Sequence, residues 1–245
     1  MAGFSFQRGV LRLGYCSVIL MRIFTLAVLA AFFGGCAIVE DIKKSQAEAR
    51  EERARAELRK LALAEHEVFR AAGGWKKRTY RNQALLSQAS SENVSLEIDL
   101  SEQRGILLVR TAIAMDFPVA TGRKSHPTPA GDFTIRAKEK NYASNLYGKI
   151  YDAQNVLVVG DADVRSDLVP AGGRFEGATM PYWMRLTDSG VGMHVGYVPG
   201  RPASHGCIRL KRDSASEIFE LVKVGTPVVI AENAPSLAPE PGSTL

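Results

Sequence analysis

Hydrophobic and polar positions follow different periods in different parts of the chain. Residues 21–35 read M-R-I-F-T-L-A-V-L-A-A-F-F-G-G, one basic residue followed by an almost unbroken apolar run. Residues 40–72 are dense in Glu, Arg, Lys and Ala with the two signs nearly balanced, which predicts a helix with a solvated surface. Within it, Leu58, Leu61, Ala62, Glu65, Val68, Phe69 and Ala72 recur at helical spacing and mark a narrow stripe. The stripe suits a free stalk and a helix folded back on the domain equally well. Gly73 and Gly74 then end the helix.

From Val94 the period shortens to two. V-S-L-E-I-D-L and then I-L-L-V-R-T-A-I-A-M-D-F-P-V-A predict antiparallel strands, with S-E-Q-R-G as the turn between the first two. A Pro- and Gly-rich loop over residues 121–133 leads to a strand at 134–137, and residues 138–179 carry few strand signals. Their Asn, Tyr and Gly content suits a binding surface on irregular chain. Residues 180–186 and 191–194 predict strands paired across T-D-S-G. A helix at 213–222, capped by Asp213 and turning Ile218, Leu221 and Val222 inward, precedes a last strand at 227–230. The fold class is therefore mostly β, a β-rich α+β domain with short helices behind a charged N-terminal helix, and the Pro-rich stretch over 233–245 reads as a disordered tail.

Composition fits one modest enzyme: 245 residues, 46% hydrophobic, with a formal net charge of +5. A basic cluster at Lys76, Lys77, Arg78 and Arg81 reads as a solvated linker that could touch anionic lipid, and nothing resembles a nucleic-acid module. The apolar run ending at Cys36 has the form of a secretory signal, too short for a comfortable membrane span. Its F-G-G-C ending resembles a bacterial lipobox, with Phe where leucine is usual, which implies cleavage before Cys36 and lipid on that cysteine. Whether translation starts at Met1 or Met21, Cys16 is absent from the mature chain, so Cys207 is the one free thiol expected. An unpaired thiol in an oxidising compartment is a liability unless it does chemistry.

That thiol lies in G-M-H-V-G-Y-V-P-G-R-P-A-S-H-G-C-I-R-L, residues 192–210, which hold two of the four histidines, His194 and His205. An imidazole beside a thiol is the usual means of making a thiolate near neutral pH, so the segment points to cysteine acyl transfer. Gly206 lets the backbone approach a substrate closely, so the Gly206 and Cys207 amides could face a developing oxyanion. A zinc site would need a fourth ligand that no C-x-x-C or H-x-x-x-H supplies. Spacing alone does not choose between His194 and His205 as base.

The S-H-G-C-I-R segment, the upstream M-H-V-G and T-P-A-G-D-F at 128–133 together resemble the L,D-transpeptidases of the YkuD type. The resemblance covers residues 94–230 and implies an antiparallel β catalytic domain, here at 92–232, behind a signal at 1–35 and a lipidated helical stalk and linker at 36–91. It makes Cys207 the nucleophile and His194 its base, oriented by the carbonyl of Val195, with His205 shaping the loop. Ser204 and Arg209 match flanking positions that bind substrate or brace the loop, and Tyr182 is a candidate oxyanion hydroxyl. The implied reaction is acyl transfer on peptidoglycan stem peptides, with no cofactor and no metal. Attack at the L-centre of the third residue expels the terminal D-alanine, and an amine then takes the acyl group from the thioester. Hydrolysis of that thioester would instead give an L,D-carboxypeptidase or an amidase, and a wall-binding scaffold without turnover is the reading from another class. The implied location is the periplasmic side of the cell envelope, lipid-anchored to the outer membrane.

Overall fold

A computed structural model describes residues 13–237, with side chains from residue 40 onward. The expected signal at 1–35 and lipidation at Cys36 lie outside the side chains described. Helix α1, Leu13–Ala71, is the first element, and the chain divides into two compact units, Met1–Glu57 and Leu58–Leu245. In the first unit the helix carries exposed charges, among them an Arg55–Glu51 ion pair one turn apart.

The second unit begins inside the predicted stalk, so the folded domain is longer than the expected 92–232. The last part of α1 packs on it by part of the predicted stripe. Leu61 and Val68 are exposed, whereas Ala62 and His66 are buried and Leu58 and Phe69 pack against the core. A polar residue, His66, therefore sits at the centre of the buried face, which apolar periodicity could not reveal. Its Nε2 bonds Asp116 Oδ2 at 2.8 Å, and Arg104 Nε donates to Asp116 Oδ1 at 2.6 Å. Arg104 and Asp116 are both fully buried. The rest of the Arg104 guanidinium donates to the carbonyls of Trp75, Lys76 and Arg78, at 3.3, 3.1 and 3.0 Å. Arg70, stacked 3.7 Å over the Trp75 ring, closes the cluster through Glu102. Burial works to raise the Asp116 carboxyl, but the His66 hydrogen bond and the Arg104 charge hold it below the usual range.

Strands β1 (Tyr80–Arg81), β2 (Val94–Asp99), β3 (Arg104–Val109) and β4 (Ala112–Ala120) follow, with helix α2 (Gln83–Leu86) capped by Asn82. Every residue of β3 and β4 is buried, because one face meets the main core and the other a second cluster of Tyr80, Ile106, Leu108, Ile113 and Ala234. The second predicted strand is two, β3 and β4, folded at Arg110, whose φ of 56° is a left-handed turn. The strand expected at 134–137 lies earlier, as β5 (Gly131–Thr134).

Residues expected to be irregular form β6 (Ala137–Tyr151), the first half of β8 (Arg174–Arg185) and, at the edge, β7 (Leu157–Asp163), while the second half of β8 is the strand predicted at 180–186 and pairs with residues 192–193 as expected. Their ladders carry solvent on both faces over much of their length, so neither face demanded the alternating hydrophobic code. Then come β9 (Gly192–Val195), β10 (Ile208–Leu210), helix α3 (Arg212–Leu221) and β11 (Pro227–Ala231). Lys211, not Asp213, is the N-cap of α3, without a side-chain cap, because the helix already begins at Arg212; Asp213 lies within its first turn and pairs with Arg81 at 3.1 Å. Among the described residues the strands run in the order β5-β11-β2-β3-β4-β10-β9-β8-β6-β7, with β1 on β4. Pairing is antiparallel except for β11 on β2 and β10 on β9. Residues 233–237, expected to belong to a disordered tail, are held instead: Ala234 is buried, its amide on Asp99 Oδ2 at 2.9 Å, and the Ser236 amide bonds Glu97 Oε2 at 2.9 Å, while the rest of the expected tail lies outside the described residues.

Removing Asp116 strands a buried guanidinium, so Asp116→Ala is expected to cost about 3–5 kcal/mol of unfolding free energy in urea. Val68→Ser, at a position 72% exposed, is expected to stay within about 0.5 kcal/mol of the parent.

Candidate active site

Two very short strands fix the relation between the reactive segments. β10 pairs in parallel with β9, with Ile208 beside Met193, Arg209 beside His194 and Leu210 beside Val195. Cys207, the residue before β10, therefore arrives beside Gly192, the first residue of β9. Met193, Ile208 and Leu210 are fully buried, so the side that faces the core holds the register while alternate residues turn to the cavity.

A cavity of about 500 Å³ opens there, lined by Cys207, His194, Arg209, His205, Tyr142 and Tyr147 among others. His194 Nδ1 lies 2.8 Å from the Val195 carbonyl, which requires the proton on Nδ1 and leaves Nε2 as the acceptor. The Trp183 ring, 5.9 Å from that of His194, is stacked in turn on Tyr142 at 5.0 Å. Burial, assisted by the positive charge of Arg209 and opposed by the Val195 hydrogen bond, pushes the imidazole down to about 4. Burial pushes the Cys207 thiol up, although the Gly192 N–H on its sulfur and the Arg209 charge pull the other way. The Cys207 S–H is directed at the Gly190 carbonyl, 3.8 Å from Sγ. The resting pair is thus a neutral thiol and a neutral imidazole, not the thiolate expected from the residue types alone. Cys207 is the free cysteine among the described residues, and no group of His, Cys, Asp and Glu there is placed to hold a metal.

The remaining predicted residues separate. Gly206, at φ 114°, makes the turn into the nucleophile, a conformation that a side chain would strain. Its amide, however, donates to Ser204 Oγ at 3.1 Å, so it is turned into the loop and not towards an oxyanion. Ser204 is buried, its hydroxyl spent on the Cys207 carbonyl and the Gly206 amide, which makes it a brace of the loop. Thr128, from the T-P-A-G segment, ties the same loop to Gly122 and to the Gly206 carbonyl, each at 2.8 Å. His205 stands on the other wall: it stacks on Tyr147 at 4.5 Å, bonds Arg123 and lies 3.5 Å from Asp161.

Tyr182 is not at the cavity. Its φ of 57° turns it out of the β8 ladder, and its ring packs edge-on against Phe219 of α3 at 5.5 Å. The cavity tyrosines are Tyr142 and Tyr147, from the stretch without strand signals, and Tyr197, from the reactive segment itself. Gly192, whose amide reaches the sulfur, was likewise missed. Its place at the head of the M-H-V-G motif is the signal that could have pointed to it.

Residues 93–230 match the family model of the YkuD L,D-transpeptidase catalytic domain. Among curated relatives, the probable L,D-transpeptidase 3 of Mycobacterium tuberculosis is 30% identical over 120 residues, covering 47% of this chain and 38% of that protein. L,D-transpeptidase 1 of the same organism is 30% identical over 121 residues, covering 46% and 40%. The chain thus spans about two fifths of the length of the curated relatives it matches. The solved structure of an L,D-transpeptidase from Mycobacterium smegmatis aligns at 24% identity with a TM-score of 0.44, covering 57% of this chain and 58% of that one.

A neutral thiol predicts a definite pH profile. Alkylation of Cys207 by iodoacetamide is expected to accelerate about tenfold per pH unit through neutrality and to level off only above the ordinary thiol range. A plateau between about pH 5 and 8 would indicate a preformed thiolate–imidazolium pair.

Proposed function

The chain belongs to the YkuD family of L,D-transpeptidase catalytic domains, and from that premise we propose that it is a cysteine acyltransferase acting on peptidoglycan stem peptides. The observation that carries the reading is the His194 tautomer: Nδ1 is held by the Val195 carbonyl, and Nε2 is left to accept a proton in the cavity that Cys207 lines.

In the proposed reaction the Cys207 S–H turns from the Gly190 carbonyl to His194 Nε2, which takes the proton as Sγ bonds to the carbonyl carbon of the third stem residue. The tetrahedral adduct collapses with cleavage of the C–N bond. The imidazolium returns its proton to the leaving nitrogen, and D-alanine departs with an intact amine. The thioester is then attacked by an amine of a second stem, whose surplus proton passes to His194, and the Cys207 thiol is restored as the C–S bond breaks. The neutral resting pair supports concerted proton transfer, because neither partner is charged before the substrate arrives.

The finer location belongs to the same proposal. An apolar run ending in F-G-G-C supports export and lipid on Cys36, which would hold the catalytic domain in the cell envelope at the outer membrane.

Purified tetrapeptide muropeptides incubated with the native protein are expected to give cross-linked dimers with loss of one D-alanine, detected by mass spectrometry. Cys207→Ala is expected to give none, and His194→Ala to slow the reaction by about 10²–10⁴-fold. Tripeptides in place of dimers would move the reading to a carboxypeptidase, and unchanged muropeptides would refute acyl transfer.

A further inference from the structure

Three cationic side chains line the cavity, and they differ in how their charge is met. Arg165 is bound by Asp163 and donates to the Tyr147 hydroxyl at 2.6 Å. Lys149 stands exposed on β6. Arg209 is half-buried, its aliphatic stem lying over Gly196, where any side chain would meet it at 2.8 Å. Among the described residues no carboxylate lies within ion-pairing distance of Arg209. A half-buried guanidinium without a partner is costly unless something brings the opposite charge.

The ladder sets this charge directly beside His194. The groups around His194 are the Trp183 ring from β8, the Val195 carbonyl from β9, and Arg209 and Cys207 from the β10 side, none of them a carboxylate. In the proposed reaction His194 must reach the leaving nitrogen to return its proton. The carboxylate of the departing D-residue hangs on the carbon attached to that nitrogen, so it is the substrate anion that comes closest to the strand neighbour of His194.

We propose that Arg209 receives the terminal carboxylate of the acyl donor, and that its docking makes His194 a better proton acceptor, so that a correctly ended substrate arms the base. The inference rests on the acyl-transfer reading above. The Arg209 charge opposes protonation of His194 in the empty site, and a bound carboxylate cancels that charge. Arg209 is then a specificity residue as well as a binding one, since a donor lacking the free terminal carboxylate would find the base weak.

Two measurements test this. The His194 imidazole is titrated by NMR in full-chain Cys207→Ala, alone and with N-acetyl-D-alanine or N-acetyl-D-alaninamide. The expected result is a midpoint of about 4 that rises with the acid and not with the amide. Adding Arg209→Gln should raise the midpoint at once and abolish the response, and Arg209→Lys should keep the response, showing that charge and not loss of fold is at work. An equal effect of acid and amide, or an unchanged midpoint in Arg209→Gln, would overturn the inference. In turnover, a donor ending in a carboxamide should react about ten- to hundredfold more slowly than the acid, and this ratio should fall towards one in Arg209→Gln. The titration needs no catalysis, so a midpoint shift without cross-linking would defeat only the reaction, and cross-linking without the shift only the role of Arg209.

Discussion

The parallel pairing of β10 on β9 is the constraint on which the site depends. Two strands of three and four residues are too short to hold a register by themselves, and parallel pairs are slightly weaker than antiparallel ones. The pair persists because it lies inside a larger sheet, with β4 on one side through Arg209–Ala120 and Leu210–Val119, and β8 on the other through Met184–Met193. A slip of one residue would exchange faces, sending Met193 into the cavity and His194 into the core. The buried Met193, Ile208 and Leu210 forbid that exchange, so packing energy far from the chemistry specifies which atoms meet in the cavity.

The same burial sets the electrostatics. A dry site favours the uncharged form of both partners, raising the thiol and lowering the imidazole. The empty site then carries no reactive anion, and in the proposed reaction proton transfer is deferred to the moment of attack. Arg209 contributes on both sides, easing ionisation of Cys207 while opposing protonation of His194. A carboxylate bound at Arg209 would remove both effects together, strengthening the base while the thiol loses the help of that charge.

Legibility from sequence followed the distribution of burial and the rarity of the chemical groups. Strands β2, β3, β4 and β11 were readable because their side chains enter apolar clusters. Cys207 stood out, with His194 and His205 as candidate partners, because thiols and imidazoles are scarce and lie in one Gly- and Pro-rich segment, and the choice of His194 came from the family resemblance. The long β6 and the first half of β8 were not readable, because ladders solvated on both faces need no hydrophobic period, whereas the end of β8 turns Met180, Trp183 and Met184 inward and was read as a strand. Tyr182 was chosen where Tyr142 and Tyr147 line the cavity, since a left-handed residue within β8 redirects a side chain with no mark in the sequence. The packed face of α1 was read only in part: Leu58, Ala62 and Phe69 pack, but its centre is His66, held by Asp116 in an ionic network and not by apolar contact. Gly206 was read as an oxyanion donor, but its amide serves Ser204, a partner that only the folded loop brings within reach.

In the proposed reaction Cys207 becomes acylated with His194 as its base. Intact-protein mass spectrometry after brief exposure to a tetrapeptide donor, without an acceptor amine, tests it most directly. The account predicts an added mass equal to the donor less D-alanine on the native chain, absent from Cys207→Ala and much slower to appear in His194→Ala. An adduct that forms equally fast without His194, or one borne by any residue other than Cys207, would contradict it.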